Sequence, residues 1–161
     1  MKTIRLFVLD VDGTLTDGGL YMDGRGGEFK RFDVRDGMGI ARLRAAGVEI
    51  ALLSGRASEA TAQRARELGI GLLFNGTGEK LPVFRKLISD LRLDAGEVAY
   101  MGDDVNDVDC LRAAGLAFAP ADAAEEAKTA ADIVTRNGGG RGAVREAAEH
   151  ILKRGAPEKR S

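Results

Sequence analysis

A chain of 161 residues can bury one core of its own and is too short for two substantial domains. Its 24 Lys and Arg against 25 Asp and Glu leave a formal net charge of −1, which removes the electrostatic case for nucleic acid or an anionic membrane surface as partner. No apolar run nears the roughly 20 residues of a bilayer span, and the single cysteine, Cys110, permits no intramolecular disulfide and fits a reducing cytoplasm.

Short β-like apolar runs alternate with longer helical ones, the pattern of an α/β protein whose parallel strands are joined by crossover helices. The first strand, residues 4–11, runs into Asp10-Val11-Asp12-Gly13-Thr14. Residues two apart on a strand share a face, so this spacing predicts two carboxylates side by side at a carboxyl strand end, where open α/β sheets collect ligands. Such a pair repels itself unless a cation or a shared proton intervenes, which points to a hard metal such as Mg²⁺. Taken alone, it reads better as a solvated acidic turn. Residues 18–31 break the alternation and predict a hairpin, with Leu20-Tyr21-Met22 and Glu28-Phe29-Lys30 as arms and Asp23-Gly24 as the turn. An isolated hairpin is marginal, so it is expected to lean on the body of the fold or on another subunit.

A helix over 37–46 and a strand over 48–53 follow, ending in Ser54-Gly55-Arg56, a hydroxyl and an amide suited to phosphate oxygens. After a helix over 58–68 and a strand over 72–74, Lys80 opens the helix 80–91. A lysine there opposes the helix dipole, and a nearby anion would compensate. The strand 98–101 ends in Gly102-Asp103-Asp104-Val105-Asn106-Asp107; capping explains one of these acids, not three. A helix over 107–114, a strand over 116–118, a helix over 123–130 and a strand over 133–135 lead to Gly138-Gly139-Gly140-Arg141-Gly142, read as a flexible loop before the helix 142–153. Cys110 reads as a buried, inert thiol and His150, the only histidine, as solvent-facing or interfacial on that last helix. One remote histidine excludes a Ser-His-Asp hydrolase, a phosphohistidine enzyme and a His-ligated zinc site. Residues 155–161 read as a polar tail.

Four successive strand ends thus carry an acid pair, a hydroxyl, a lysine and an acid cluster. In that order they resemble the motifs of the haloacid dehalogenase-type (HAD) phosphatases, over residues 4 to about 119. The resemblance implies a Rossmann-like three-layer parallel sheet forming one domain over 1–154. Only about 40 residues separate Thr14 from Ser54 and about 20 separate Lys80 from Asp103, so no cap domain fits and the 18–31 hairpin is the only insertion. A narrower likeness is to the capless subfamily acting on phosphorylated sugar acids, 3-deoxy-D-manno-octulosonate 8-phosphate above all, in lipopolysaccharide precursor biosynthesis. It rests on Thr16-Asp17-Gly18, Asp33-Val34-Arg35-Asp36-Gly37 and Gly139-Gly140-Arg141-Gly142-Ala143-Val144-Arg145-Glu146. Phosphatases of nonulosonate 9-phosphates share most of these residues.

The resemblance implies Asp10 as nucleophile, Asp12 as general acid and base, and Lys80 as the charge that keeps Asp10 ionised. Mg²⁺ would sit on Asp10, Asp103 and the main-chain carbonyl of Asp12, with Asp104 and Asp107 around its waters. Thr14, Ser54 and Gly55 would bind the phosphoryl group, and Arg35, Arg56 and Arg64 the sugar acid's carboxylate. It also implies a homotetramer in which a neighbour's hairpin and tail close each site. Two readings of other classes compete. A phosphoacceptor signalling domain uses similar groups, but with an adjacent acid pair and its acceptor on a later strand. A catalytically silent phosphatase-like module would lack a motif residue, and none is missing here.

Overall fold

The computed structural model describes residues 2–155. In chain order the elements are β1 (Leu6–Leu9), β2 (Tyr21–Met22), β3 (Glu28–Phe29), α1 (Val34–Ala45), β4 (Glu49–Ser54), α2 (Glu59–Glu67), β5 (Leu72–Asn75), α3 (Lys80–Asp90), β6 (Val98–Met101), α4 (Val108–Ala113), β7 (Leu116–Ala119), α5 (Glu125–Ala130), β8 (Ile133–Val134) and α6 (Ala143–Lys153). Six strands form one parallel sheet in the order β5-β4-β1-β6-β7-β8, while β2 and β3 form a separate antiparallel pair. The chain builds outward from β1 to β5, then crosses back to β6 and continues the other way. Asp10 therefore follows the strand at the reversal of strand order, where such sheets hold ligands. Register levels the strand ends: Leu9 pairs with Leu52 on one side and Met101 on the other, and the Asp10 amide donates to the Met101 carbonyl at 2.9 Å.

All four β1 residues are buried, as expected of a strand covered on both faces. Phe7 and Leu9 face a layer that includes Ile40 and Leu43 of α1 and Val144, Ala147 and Ile151 of α6. Leu6 and Val8 face Phe84 and Leu87 of α3, Leu111 of α4 and Ala127 of α5. Asp36 on α1 is buried and accepts from the Arg145 amide at 2.9 Å and the Gly142 amide at 3.4 Å. It thereby satisfies the first turn of α6, whose own N-cap is a glycine with no side chain to do so.

Several local expectations are corrected. β1 ends at Leu9 rather than at residue 11, because the amides of Thr14, Leu15 and Thr16 all turn back onto the Val11 carbonyl. α1 begins at Val34 rather than residue 37, since Asp33 caps it by accepting from the Arg35 amide. The hairpin turn spans residues 23–27 rather than Asp23-Gly24 alone: Asp23 accepts from the amides of Arg25 at 2.7 Å and Gly27 at 2.9 Å. His150 is half-buried, its ring edge-on to Phe118 at 5.7 Å, and desolvation lowers its pKa. Of the expected tail, residues 156–161 lie outside the described residues.

The loop 138–142 is a brace for the Asp10–Thr16 segment. The Gly140 amide donates to the Thr14 carbonyl at 3.0 Å, and Arg31 donates to the Gly140 carbonyl. At Gly139 a Cβ would lie 1.8 Å from the Gly13 carbonyl oxygen, so no side chain fits without moving that backbone. Gly139→Ala is therefore expected to lower stability by about 2–3 kcal/mol through overpacking, and Gly78→Ala, which meets nothing within 4 Å, to stay within about 0.5 kcal/mol. Urea denaturation of both variants checks this; equal, small effects would show that the loop yields.

Candidate active site

Lys80, the first residue of α3, is buried and donates to Asp10 Oδ1 at 2.6 Å and Asp107 Oδ1 at 2.7 Å. Asp107 lies in a 3-10 turn, Val105–Asp107, that precedes α4. It is fully engaged: Oδ1 also accepts from the Tyr100 hydroxyl at 2.6 Å, and Oδ2 from the amides of Asp103 at 3.0 Å and Asp104 at 3.3 Å. Asp10 Oδ2, by contrast, is buried without a hydrogen-bond partner. Gly13, at φ +90°, permits the approach of Asp103, whose Oδ2 would be 1.9 Å from a Cβ there.

Burial disfavours the Lys80 ammonium, but the charges of Asp10 and Asp107 outweigh it and raise its pKa. Burial, then the charge of Asp107, drives the Asp10 carboxyl well above the usual range against the opposing pull of Lys80. Burial pushes Asp103 up to about 6, helped by the charges of Asp107 and Asp104 and opposed by that of Lys80. The carboxylates of Asp10, Asp103 and Asp107 have oxygens within 4.8 Å of one another, with one ammonium among them. This excess of negative charge, with a buried unpartnered oxygen on Asp10, fits a hard divalent cation between Asp10 and Asp103.

The structure gives the two acids of the Asp10–Asp12 pair different partners. Asp12 is outside the acid cluster, and its carboxylate takes a hydrogen bond from Lys30, which follows β3. Asp104 is also outside it: exposed, it caps its own turn by accepting from the Val105 amide at 2.7 Å. Ser54 is buried at the end of β4, its hydroxyl donating to the Arg56 carbonyl at 2.9 Å; the adjoining Gly55 stays exposed. The Thr14 hydroxyl is buried and without a partner. Cys110 packs in the core beneath the site, where burial, then the charge of Asp107, pushes its thiol up to about 12.

The three arginines are tied into intrachain contacts. Arg35 forks onto Asp33 at 2.9 and 3.0 Å, Arg56 pairs with Glu28 of the hairpin at 2.9 Å, and Arg64 lies 5.7 Å from the centre of the Phe32 ring. Arg64 also lines a cleft of about 380 Å³ between β3 and α2, together with Lys30, Phe32 and Gln63. Two residues escaped the sequence reading. Tyr100 reads as plain core, since nothing in its strand marks a hydroxyl that serves Asp107. Lys30 carries a faint signal, the alternation Glu28-Phe29-Lys30, which sets Lys30 on the face opposite Phe29.

Acids and a buried lysine at consecutive parallel strand ends define a class, and the family profile of the haloacid dehalogenase-like hydrolases matches residues 73–146. The chain is 43% identical over 151 residues to the 3-deoxy-D-manno-octulosonate 8-phosphate phosphatase KdsC of Escherichia coli, covering 94% of this chain and 80% of that protein. KdsC of Yersinia pestis is 42% identical over 149 residues, covering 92% and 80%. The crystal structure of the Moraxella catarrhalis phosphatase in complex with magnesium ion, phosphate ion and KDO superposes at a TM-score of 0.91 with 39% identity, over 93% of this chain and 86% of that one. The cobalt-bound form of the Haemophilus influenzae phosphatase superposes at 0.90 with 42% identity, over 94% and 88%. The chain belongs to the haloacid dehalogenase-like hydrolases, in the family of these octulosonate phosphatases.

The raised Asp103 pKa fixes the sign of a pH effect. Between the ordinary 3.8 and about 6 the folded, metal-free protein keeps a proton that the unfolded chain has lost, so stability falls as pH rises through that window. Asp10 is shifted in the same direction. A cation needs these carboxylates ionised, so the gain in thermal midpoint on adding Mg²⁺ is expected to be larger at about pH 7.5 than at about pH 5. Thermal denaturation with and without Mg²⁺ measures it, and a pH-independent gain would count against the site.

Proposed function

We propose that the protein is a Mg²⁺-dependent phosphomonoester hydrolase working through an aspartyl-phosphate on Asp10. Its proposed substrate is 3-deoxy-D-manno-octulosonate 8-phosphate, dephosphorylated in the cytoplasm for lipopolysaccharide assembly. The observation that carries the reading is Asp10: one oxygen held by Lys80, the other buried and unpartnered at the strand-order reversal. A carboxylate so fixed presents one lone pair to a phosphorus atom and cannot rotate away from it.

In the first displacement an Asp10 oxygen bonds to phosphorus as the ester bond breaks, and Asp12 gives its proton to the leaving oxygen. In the second, Asp12 takes a proton from the water that attacks the same phosphorus, releasing phosphate and restoring Asp10. Lys80 holds Asp10 in place and offsets its charge while the anionic ester approaches. The Ser54 hydroxyl and Gly55 amide, with the otherwise unpartnered Thr14 hydroxyl, hold phosphoryl oxygens. Mg²⁺ bound by Asp10, Asp103 and the Asp12 carbonyl would neutralise charge on the phosphoryl group. Arg64, which lines the cleft between β3 and α2, and Arg56, paired with Glu28, are the proposed partners of the sugar acid's carboxylate, with Arg35, paired with Asp33, as the third.

The hairpin supports an oligomeric reading. Leu20, Tyr21, Met22 and Phe29 are all exposed, apolar side chains spread over both faces of the two-stranded pair, more than a lone hairpin leaves in water without consequence. A neighbouring subunit in a homotetramer would cover it and close the open site.

Asp10→Asn is expected to abolish phosphate release while keeping the fold, and near-normal turnover by that variant would end the nucleophile assignment. With Mg²⁺, the wild-type protein should release phosphate from octulosonate 8-phosphate at least tenfold faster than from nonulosonate 9-phosphates, a difference of about 1.4 kcal/mol in kcat/KM. The reverse order would reassign the substrate. Gel filtration should show Phe29→Lys as a smaller species than the wild type; an active wild-type monomer would remove the tetramer.

A further inference from the structure

The hairpin strand β3 places a buried cation on the second acid of the Asp10–Asp12 pair. Phe29 points outward, 67% exposed, and the alternation of a strand sends Glu28 and Lys30 the other way. The Lys30 side chain is only 2% exposed, although lysine is seldom buried unless paired. Its ammonium donates to Asp12 Oδ1 and lies 3.6 Å from Glu28 Oε1. Glu28 is in turn anchored by Arg56 at 2.9 Å, so the lysine is held from behind by a residue of the same strand. Among the described residues, Lys30 is the only hydrogen-bond donor to the Asp12 side chain.

This differs from the support given to Asp10, which is held from beneath by α3 through Lys80. Asp12 follows the end of β1 on a turn, and its side chain keeps 24% exposure, so without Lys30 its carboxyl would be free to rotate. Proton transfer requires the acid within hydrogen-bond reach of the leaving oxygen at the moment the ester bond breaks. With Oδ1 pinned to Lys30, the rotamer is set and Oδ2 is left to meet that oxygen.

We propose that Lys30, backed by Glu28, is a positioning residue that orients Asp12 for proton transfer to the leaving group. The hairpin thereby takes part in the chemistry and is more than an oligomer contact. The step balances simply: the Asp12 O–H bond breaks as the leaving oxygen gains the proton, while phosphorus exchanges that oxygen for Asp10. Lys30 keeps its own protons throughout. The proposal rests on Asp12 being the acid, and the test separates the two.

Maximal single-turnover rates are compared, with saturating Mg²⁺ and ester, for octulosonate 8-phosphate and p-nitrophenyl phosphate, whose leaving group departs without a proton. Lys30→Met is expected to slow the sugar ester about 100-fold and the nitrophenyl ester less than about threefold, the size of a lost general acid. Lys30→Gln, which keeps a donor, should fall between Lys30→Met and wild type, and serves for the comparison if Lys30→Met does not fold. Equal losses on both esters would mean a merely structural role. An undiminished maximal rate on the sugar ester would mean that Lys30 does not orient Asp12. Either result overturns the proposal. Asp12→Asn supplies the control: if it also fails to distinguish the esters, the acid assignment falls with it, and if it distinguishes them while Lys30→Met does not, only Lys30 is excluded.

Discussion

The buried ion pairs of Lys80 are the contacts on which the site depends. One ammonium joins Asp10 after β1 to Asp107 before α4, residues 70 and 27 positions away in the chain. Charges this deep are costly to desolvate, and removing one partner from such a set typically costs about 3–5 kcal/mol because the other is left unpaired. Three carboxylates against one ammonium do not neutralise, and the remaining negative charge is what makes the place a cation site. Burial, joined by the charges of Asp107 and Asp104, pushes Asp103 up to about 6, and the Tyr100 phenol donates to Asp107. The arrangement of the acids around Lys80 and their fit to a cation therefore have one electrostatic origin.

Around that centre the fold works as a set of braces. The apolar layers hold the strand ends level, so the acid, hydroxyl and lysine arrive at one edge of the sheet. The glycine loop 138–142 fills the space under the Asp10–Thr16 turn so closely that a methyl group at Gly139 would collide with backbone. Asp36 ties that loop to α1 by accepting from the start of α6. Thus the C-terminal helix, remote in sequence from the acids, shares in fixing the turn that carries Asp10.

The two acids of the first motif end in different surroundings. Asp10 is enclosed, rigid and shielded from water; Asp12 is at the rim, served by a lysine from an inserted hairpin. In the proposed mechanism Asp10 needs a fixed trajectory, whereas Asp12 must meet a leaving oxygen and then a water, so partial exposure suits Asp12 and not Asp10. Among the described residues, the hairpin is the element that supplies a lysine to Asp12.

The parallel sheet, its crossover helices and the residues at its strand ends were legible in the sequence, because strands buried on both faces carry continuous apolar runs and the motifs follow them directly. Lys80 at the start of α3 and the acids 103–107 were found the same way. What escaped depends on partners far along the chain: Lys30 reaches Asp12 across 18 positions, Arg56 reaches Glu28 across 28, and Arg145 donates to Asp36 across 109. No local period encodes such contacts. The sequence by itself determined the order of chemical groups along the strand ends, since hydrophobic periodicity is local and strong. Only the tertiary structure decided that Asp10 and Asp12 part company, each to its own lysine, because the turn onto the Val11 carbonyl and the return of the hairpin are set by packing between distant segments.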